Sequence, residues 1–227
     1  MDKRLSILSL VVILAMGAGC GPASSAPGPT AEAEAAIPLP SPILTGTLSL
    51  EEVLARRRSV RQFNDTPLTL AEVGQLLWAA QGLTDERGFR TAPSAGALYP
   101  LEVYVVTAEG IFHYEPAGHR LRPVGRGDLR RALQGAALGQ EAVGQGAALF
   151  VIAAVYERTA RKYGVERSPR YVHLEAGHAT QNLLLEAVAL GLGAVPIGAF
   201  DDEQVQQVLG LPADHKPLYL VPVGHPQ

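Results

Sequence analysis

The chain has 227 residues, with 19 Lys+Arg against 22 Asp+Glu, a net charge of −3, and 47% hydrophobic residues; that is one globular domain with chain to spare, not two full domains. The near balance of charge offers no basic face for nucleic acid. A single cysteine excludes an intrachain disulfide framework and a multi-cysteine zinc site.

Asp2-Lys3-Arg4 is followed by twelve residues, Leu5 to Met16, that are apolar except for Ser6 and Ser9. This run is too short for a ~30 Å hydrocarbon core, which takes about 20 residues. With the small residues Gly17, Ala18 and Gly19 after it, it fits a secretory signal peptide over residues 1–19. Ala18-Gly19-Cys20 resembles a bacterial lipobox, although Gly17 stands where Leu is usual. The resemblance implies an exported protein anchored to a membrane by lipid on Cys20, facing outside the cytoplasm; the plainer alternative is an ordinary signal cleaved nearby. Residues 20–46 are rich in Ala and Pro, carry only Glu32 and Glu34 as charges, and show no periodicity, so they read as a tether. The folded unit is then expected over 47–227.

Ser49-Leu50-Glu51-Glu52 and Thr69-Leu70-Ala71-Glu72 both match S/T-x-x-E, the reciprocal cap of a helix start. The first helix should run to about Arg57. The second carries Leu70, Val73, Leu76, Leu77 and Ala80 on one stripe. Residues 101–108 and 111–114 read as a hairpin about Glu109-Gly110. Residues 128–138 are helical by pattern, and 147–156, nearly all apolar, read as a buried central strand. Residues 171–190 form the longest helical stretch, apolar nearly all round and expected to be buried on more than one face. A short strand at 194–197, a helix at 201–208 and a strand at 218–223 close the chain. Irregular alternation with hairpins argues an α+β fold.

Arg56-Arg57-Arg58-Ser59-Val60-Arg61 sets four guanidiniums and a hydroxyl within six residues, the donor set a phosphate group takes. The alternative is a basic helix end that offsets the macrodipole in solvent. Thr91-Ala92-Pro93-Ser94-Ala95-Gly96-Ala97-Leu98-Tyr99-Pro100 is a small-residue loop that would let a flat ligand approach the backbone, or simply a turn. Gly191-Leu192-Gly193-Ala194-Val195-Pro196-Ile197-Gly198 follows a helix and opens a strand, the reverse of a Rossmann fingerprint, so no such dinucleotide site is expected. His173 and His178 lie about 140° apart on a helix and read as packing or hydrogen-bonding residues, not as metal ligands; no metal is expected. No Gly-x-Ser-x-Gly or Cys-His-Asp arrangement points to acyl transfer. Lys162-Tyr163-Gly164 is a candidate proton-handling pair, although a solvated Lys beside a buried Tyr explains it as well.

These segments together resemble the flavin-dependent nitroreductase superfamily, more narrowly its thiazole/oxazole oxidase (SagB-type) branch, over residues 49–226. Arg57-Arg58-Ser59-Val60-Arg61, Leu76-Leu77-Trp78-Ala79-Ala80-Gln81-Gly82, the loop from Arg90 to Pro100, Lys162-Tyr163-Gly164, Glu175-Ala176-Gly177-His178 with Gln181-Asn182-Leu183, and Gly191 to Gly198 carry the resemblance. It implies a mixed, mainly antiparallel sheet flanked by helices, in an intertwined homodimer holding two FMN molecules at its interface. Arg57, Arg58, Ser59 and Arg61 would then hold the phosphate and ribityl chain. Ser94, Ala95 and Gly96 would lie along the flavin in the partner's half of the site. The backbone of Pro196, Ile197, Gly198 and Ala199 would pass the isoalloxazine, with an N–H near Gly198 donating to N5. Lys162 and Tyr163 would serve hydride transfer between the flavin and a small organic or peptide-like substrate, Lys162 as general base assisted by Arg158 or Arg161. The family's basic residue after the last Val-Gly-x-Pro is missing at Gly224-His225-Pro226-Gln227, which leaves more of the phosphate to the first Arg cluster. An NAD(P)H-dependent nitroreductase and a non-catalytic exported flavin-binding lipoprotein are the alternatives.

Overall fold

A computed structural model describes residues 35–227 of the protein; the signal peptide expected over 1–19, Cys20 and the expected tether as far as Glu34 lie outside the described residues. Seven strands form one sheet in the order β1-β4-β3-β2-β5-β7-β6. They are β1 (Ile37–Pro38), β2 (Leu101–Val106), β3 (Gly110–Glu115), β4 (Arg120–Arg126), β5 (Ala148–Ala154), β6 (Gly193–Ala194) and β7 (Lys216–Gly224). Every ladder is antiparallel. The helices are α1 (Leu50–Arg56), α2 (Leu70–Gln81), α3 (Arg130–Ala136), α4 (Glu141–Gln145), α5 (Tyr156–Tyr163), α6 (Ser168–Ala189) and α7 (Asp202–Leu209).

The apolar run of β5 is buried along its whole length, between β2 and β7. Its residues divide by parity, as a strand's period of two requires. Phe150 and Ile152 join the core that contains Leu76, Leu77, Val172 and Leu183 of α2 and α6, while Leu149 and Val151 join Leu133, Val143 and Val205 of α3, α4 and α7. The sheet is therefore covered on both faces.

Both expected capping boxes are present: the Ser49 and Thr69 hydroxyls accept from the Glu52 and Glu72 amides, and each carboxylate returns the bond. Two expectations need correction. The stretch 35–46, read as tether, is part of the fold: Ile37 and Pro38 pair with β4, the Leu39 N–H donates to the His119 carbonyl at 3.0 Å, and Gln75 clasps both backbone groups of Ile43 at 2.8 and 3.0 Å. Pro38 is tolerated because β1 is an edge strand, and the Pro-rich composition masked the apolar pair Ile37 and Leu39. The folded unit thus begins ahead of Thr47. The second correction concerns α6, which is buried along one broad stripe (Val172, Ala176, Ala179, Leu183, Leu184, Ala187), while His173, Leu174, His178 and Gln181 of the opposite face are exposed in the single chain.

Candidate active site

The end of α1 delivers the arginine cluster, and its members part company there. Arg56 pairs with Glu52 at 3.3 Å, and Arg58 turns back to the Ala55 and Arg57 carbonyls at 3.0 and 2.8 Å, closing the helix C-terminus as a basic residue there can. Among the described residues neither the Arg57 nor the Arg61 guanidinium has a hydrogen bond or ion pair. The expected phosphate group thus divides into two guanidiniums used locally and two available, with the exposed Ser59 between them.

Ser59 forms a parallel bridge to Ala194, and the Val60 N–H donates to the Ala194 carbonyl at 3.0 Å. The fit is close: a Cβ built on Gly193 would stand 2.6 Å from Val60 Cγ1. Two stretches about 140 residues apart are so brought side by side within one chain. Past this contact, Ile197 exchanges both backbone bonds with Leu220 of β7, which fixes the bend at Pro196–Ala199. The Ala199 carbonyl accepts from Gln140 Nε2 at 2.9 Å. Gly198 and Ala199 are exposed, neither N–H has a partner among the described residues, and a Cβ on Gly198 would meet nothing within 4 Å. The bend therefore holds two unpartnered backbone donors at exposed positions. A cavity of about 560 Å³ lies here, with Arg61, Gln62, Gln140, Glu141, Ile197 and Gln227 among its lining residues, a size within the range of cofactor sites. Residues 62–64 are tied to the end of the chain, since the Asn64 N–H donates to the His225 carbonyl at 2.9 Å and Gln227 Nε2 to the Phe63 carbonyl at 2.9 Å.

The remaining predicted residues form a second cluster. Gly96 lies in the left-handed region at φ 64°, and a Cβ there would meet Lys162 Nζ at 2.8 Å and Tyr163 Oη at 3.0 Å. The small-residue loop is thus the floor on which the Lys-Tyr pair at the end of α5 rests. The Tyr163 ring packs against Tyr171 at a tilt of 47° with centroids 4.6 Å apart, and the Lys162 ammonium stands 5.6 Å from the Tyr163 ring centre. Arg158, expected to assist Lys162, is engaged elsewhere: it is bound to the Glu102 carboxylate and donates to the Tyr99 carbonyl at 3.1 Å. Burial alone would raise Glu102, but the hydrogen bond with His113 (2.6 Å) and the charge of Arg158 bring it down to about 2. Among the described residues no hydrogen bond, ion pair or ring contact joins the pair Lys162-Tyr163 to the bend at Gly198.

His173 bonds the Tyr156 hydroxyl at 2.6 Å, as a structural histidine should, and no cluster of three or more metal-ligating side chains occurs among the described residues. Behind the loop lies a polar group that sequence reasoning left without a role. Glu175 of α6 is only 2% exposed, and desolvation raises its carboxyl to about 7 against the neighbouring Ser94, Arg90 and Gln81. No hydrogen bond of good geometry reaches its Oε1, so burial wins. The available signal was a carboxylate standing on the stripe of Val172, Ala176 and Ala179.

The Nitroreductase family profile matches residues 54–225. The chain is 46% identical to MJ1384 of Methanocaldococcus jannaschii, a protein with a nitroreductase name, over 78% of this chain and 91% of that one. It is 29% identical to the microcin B17-processing protein McbC of Escherichia coli, over 54% of this chain and 48% of McbC. A crystal structure from Ralstonia eutropha JMP134, also bearing a nitroreductase name, superposes with a TM-score of 0.77 at 30% identity, covering 85% of this chain and 90% of that one. The NADPH:FMN oxidoreductase of Vibrio harveyi, solved with NAD+, gives a TM-score of 0.59 at 25% identity over 78% and 69% of the two chains.

Proposed function

The chain belongs to the nitroreductase family of oxidoreductases, and within it we propose an FMN-dependent dehydrogenase or oxidase of the SagB type that works as a homodimer. One observation carries the reading: the Ser59–Ala194 bridge ties the segment that bears Arg57 and Arg61 to the strand leading into a bend whose exposed Gly198 N–H is unpartnered and whose Ile197 lines one cavity with Arg61. Charged forks suit a phosphate monoester, and a fixed backbone donor suits a ring whose electron density rises on reduction. FMN, when bound, supplies the hydride-accepting and hydride-donating centre. The chain's own residues do the rest. Arg57, Ser59 and Arg61 grip the phosphate end, the Pro196–Ala199 backbone orients the ring, and Lys162 takes or returns a proton while Tyr163 holds its position. Because no hydrogen bond, ion pair or ring contact joins Lys162 and Tyr163 to that bend within one chain, a complete site is formed with the second protomer's loop. This also gives the exposed face of α6 a surface to cover.

Titration with FMN tests the reading. Arg57→Ala and Arg61→Ala should each weaken binding about tenfold or more, roughly one charge-assisted contact, while Arg56→Ala and Arg58→Ala, whose guanidiniums are occupied, should stay within threefold. A wild-type chain that leaves FMN unbound ends it. The competing reading, an NAD(P)H-dependent nitroreductase, draws on the likeness to MJ1384. Lys162→Ala separates the two, because reduction of a nitroaromatic by NADH needs no residue that deprotonates carbon. Export with lipid on Cys20 belongs to the same proposal; loss of the membrane-bound fraction in Cys20→Ala is its check.

A further inference from the structure

The loop beneath Lys162 and Tyr163 holds an unusual backbone. Gly96, Ala97 and Tyr99 all have left-handed φ (64°, 54° and 46°), and each non-glycine residue there costs on the order of 1 kcal/mol. Such a turn persists only if its surroundings over-determine it. The Ala97 N–H donates to the Ser94 carbonyl at 3.0 Å, the Tyr99 N–H to Ser94 Oγ at 2.9 Å, and the Arg90 N–H to the Tyr99 hydroxyl at 3.2 Å. The Arg90 guanidinium covers the Tyr99 ring at 4.6 Å. Ser94 is thus the hub of the turn, and its hydroxyl, having accepted from Tyr99, has a proton left to give. Behind it stands the Glu175 carboxyl, buried with the Gln81 side chain, which is itself fully buried and bound through Oε1 to Arg90 Nη1 at 2.7 Å. A carboxyl buried without a full set of partners is expensive to keep; here its neighbours are the side chains that shape the turn.

We propose that Glu175 is a positioning residue: its carboxyl anchors the Ser94 hydroxyl and thereby holds the left-handed turn from Gly96 to Tyr99 in the shape that seats Lys162 and Tyr163. The proposal rests on the reading of those two residues as the reactive pair, but its test does not depend on flavin. Amide hydrogen exchange of residues 95–99 is measured on the full chain without FMN, alongside the global unfolding midpoint. Glu175→Leu should speed exchange across the turn roughly 3- to 10-fold, the equivalent of one lost hydrogen bond, while the global midpoint stays or rises because a buried carboxyl whose Oε1 has no partner has gone. Glu175→Gln keeps an oxygen acceptor and should restore exchange to within twofold of wild type. Ser94→Ala should loosen the turn at least as much, and Glu175→Leu added to it should change nothing more. Wild-type exchange in Glu175→Leu overturns the proposal, as does full additivity with Ser94→Ala; should Glu175→Leu fail to fold, Ser94→Ala with and without Glu175→Gln decides on the same criterion. FMN titration of the wild type judges the flavin reading separately.

Discussion

Gly193→Ala is the sharpest probe of the contact between the arginine segment and the bend. Gly193 does not need glycine for its φ; it needs the space. An added Cβ would stand 2.6 Å from Val60 Cγ1, 2.8 Å from its Cβ and 3.2 Å from its Cγ2, where carbon atoms settle at about 3.5–4.0 Å. No rotamer relieves this, because the Val60 Cβ itself is in the way and β-branched side chains are stiff. The segment must therefore retreat by about 1 Å, which strains or breaks the 3.0 Å bond from the Val60 N–H to the Ala194 carbonyl. Overpacking of this kind costs about 1–3 kcal/mol and the lost bond about 1 kcal/mol, so a total of roughly 2–4 kcal/mol should appear in urea unfolding followed by the single Trp78. FMN affinity should fall about 10- to 100-fold, since Arg57 and Arg61 move with Val60. Adding Val60→Ala removes two of the three clashes and should recover about half of each loss. A Gly193→Ala protein with wild-type stability and FMN affinity within twofold would refute the reasoning.

Glu175→Gln should separate from wild type as pH rises: the native carboxyl, raised to about 7 from 4.5, favours the fold fully below its unfolded value and loses that advantage on the way up to about 7. The variant should gain about 2–3 kcal/mol relative to wild type between pH 5 and pH 9, seen in unfolding midpoints across that range. Glu102 has the opposite sign, because its carboxylate at about 2 adds stability above 4.5 that is lost as acid approaches 2; Glu102→Gln should cost about 3 kcal/mol at pH 7 and free Arg158, altering the pH profile of any Lys162-dependent turnover. Gln75→Ala removes both bonds to Ile43 and should lower stability by about 1–2 kcal/mol, with faster amide exchange confined to residues near Ile43.

What the sequence disclosed, and what it concealed, follows from how local each signal is. Both capping boxes, the apolar stripe of α2 from Val73 onward and the buried run of β5 are short-range patterns and were readable, whereas Leu70, expected on that stripe, stands exposed at the helix start. Strand β4 was not, because Arg120-Leu121-Arg122-Pro123-Val124-Gly125-Arg126 buries only Leu121 and takes its place from pairing with β3. Helix α5 escaped notice because one of its eight residues, Thr159, is buried. The arginine cluster was visible, but its division into Arg56 and Arg58 on one side and Arg57 and Arg61 on the other depends on where a helix end turns. Glu175 was quoted within a motif yet carried no role, since its significance lies in Ser94, eighty residues earlier.

The bridge between Ser59 and Ala194, with the ties of Phe63 and Asn64 to residues 225–227, has a consequence for biogenesis. The arginine arm is made early but can dock only on strands synthesised more than 130 residues later, and contacts of such long range form late and slowly. If the arm holds a cofactor phosphate as proposed, a nascent domain on the ribosome would have no phosphate grip while its first two helices are already capped, and cofactor capture would belong to the last stage of maturation.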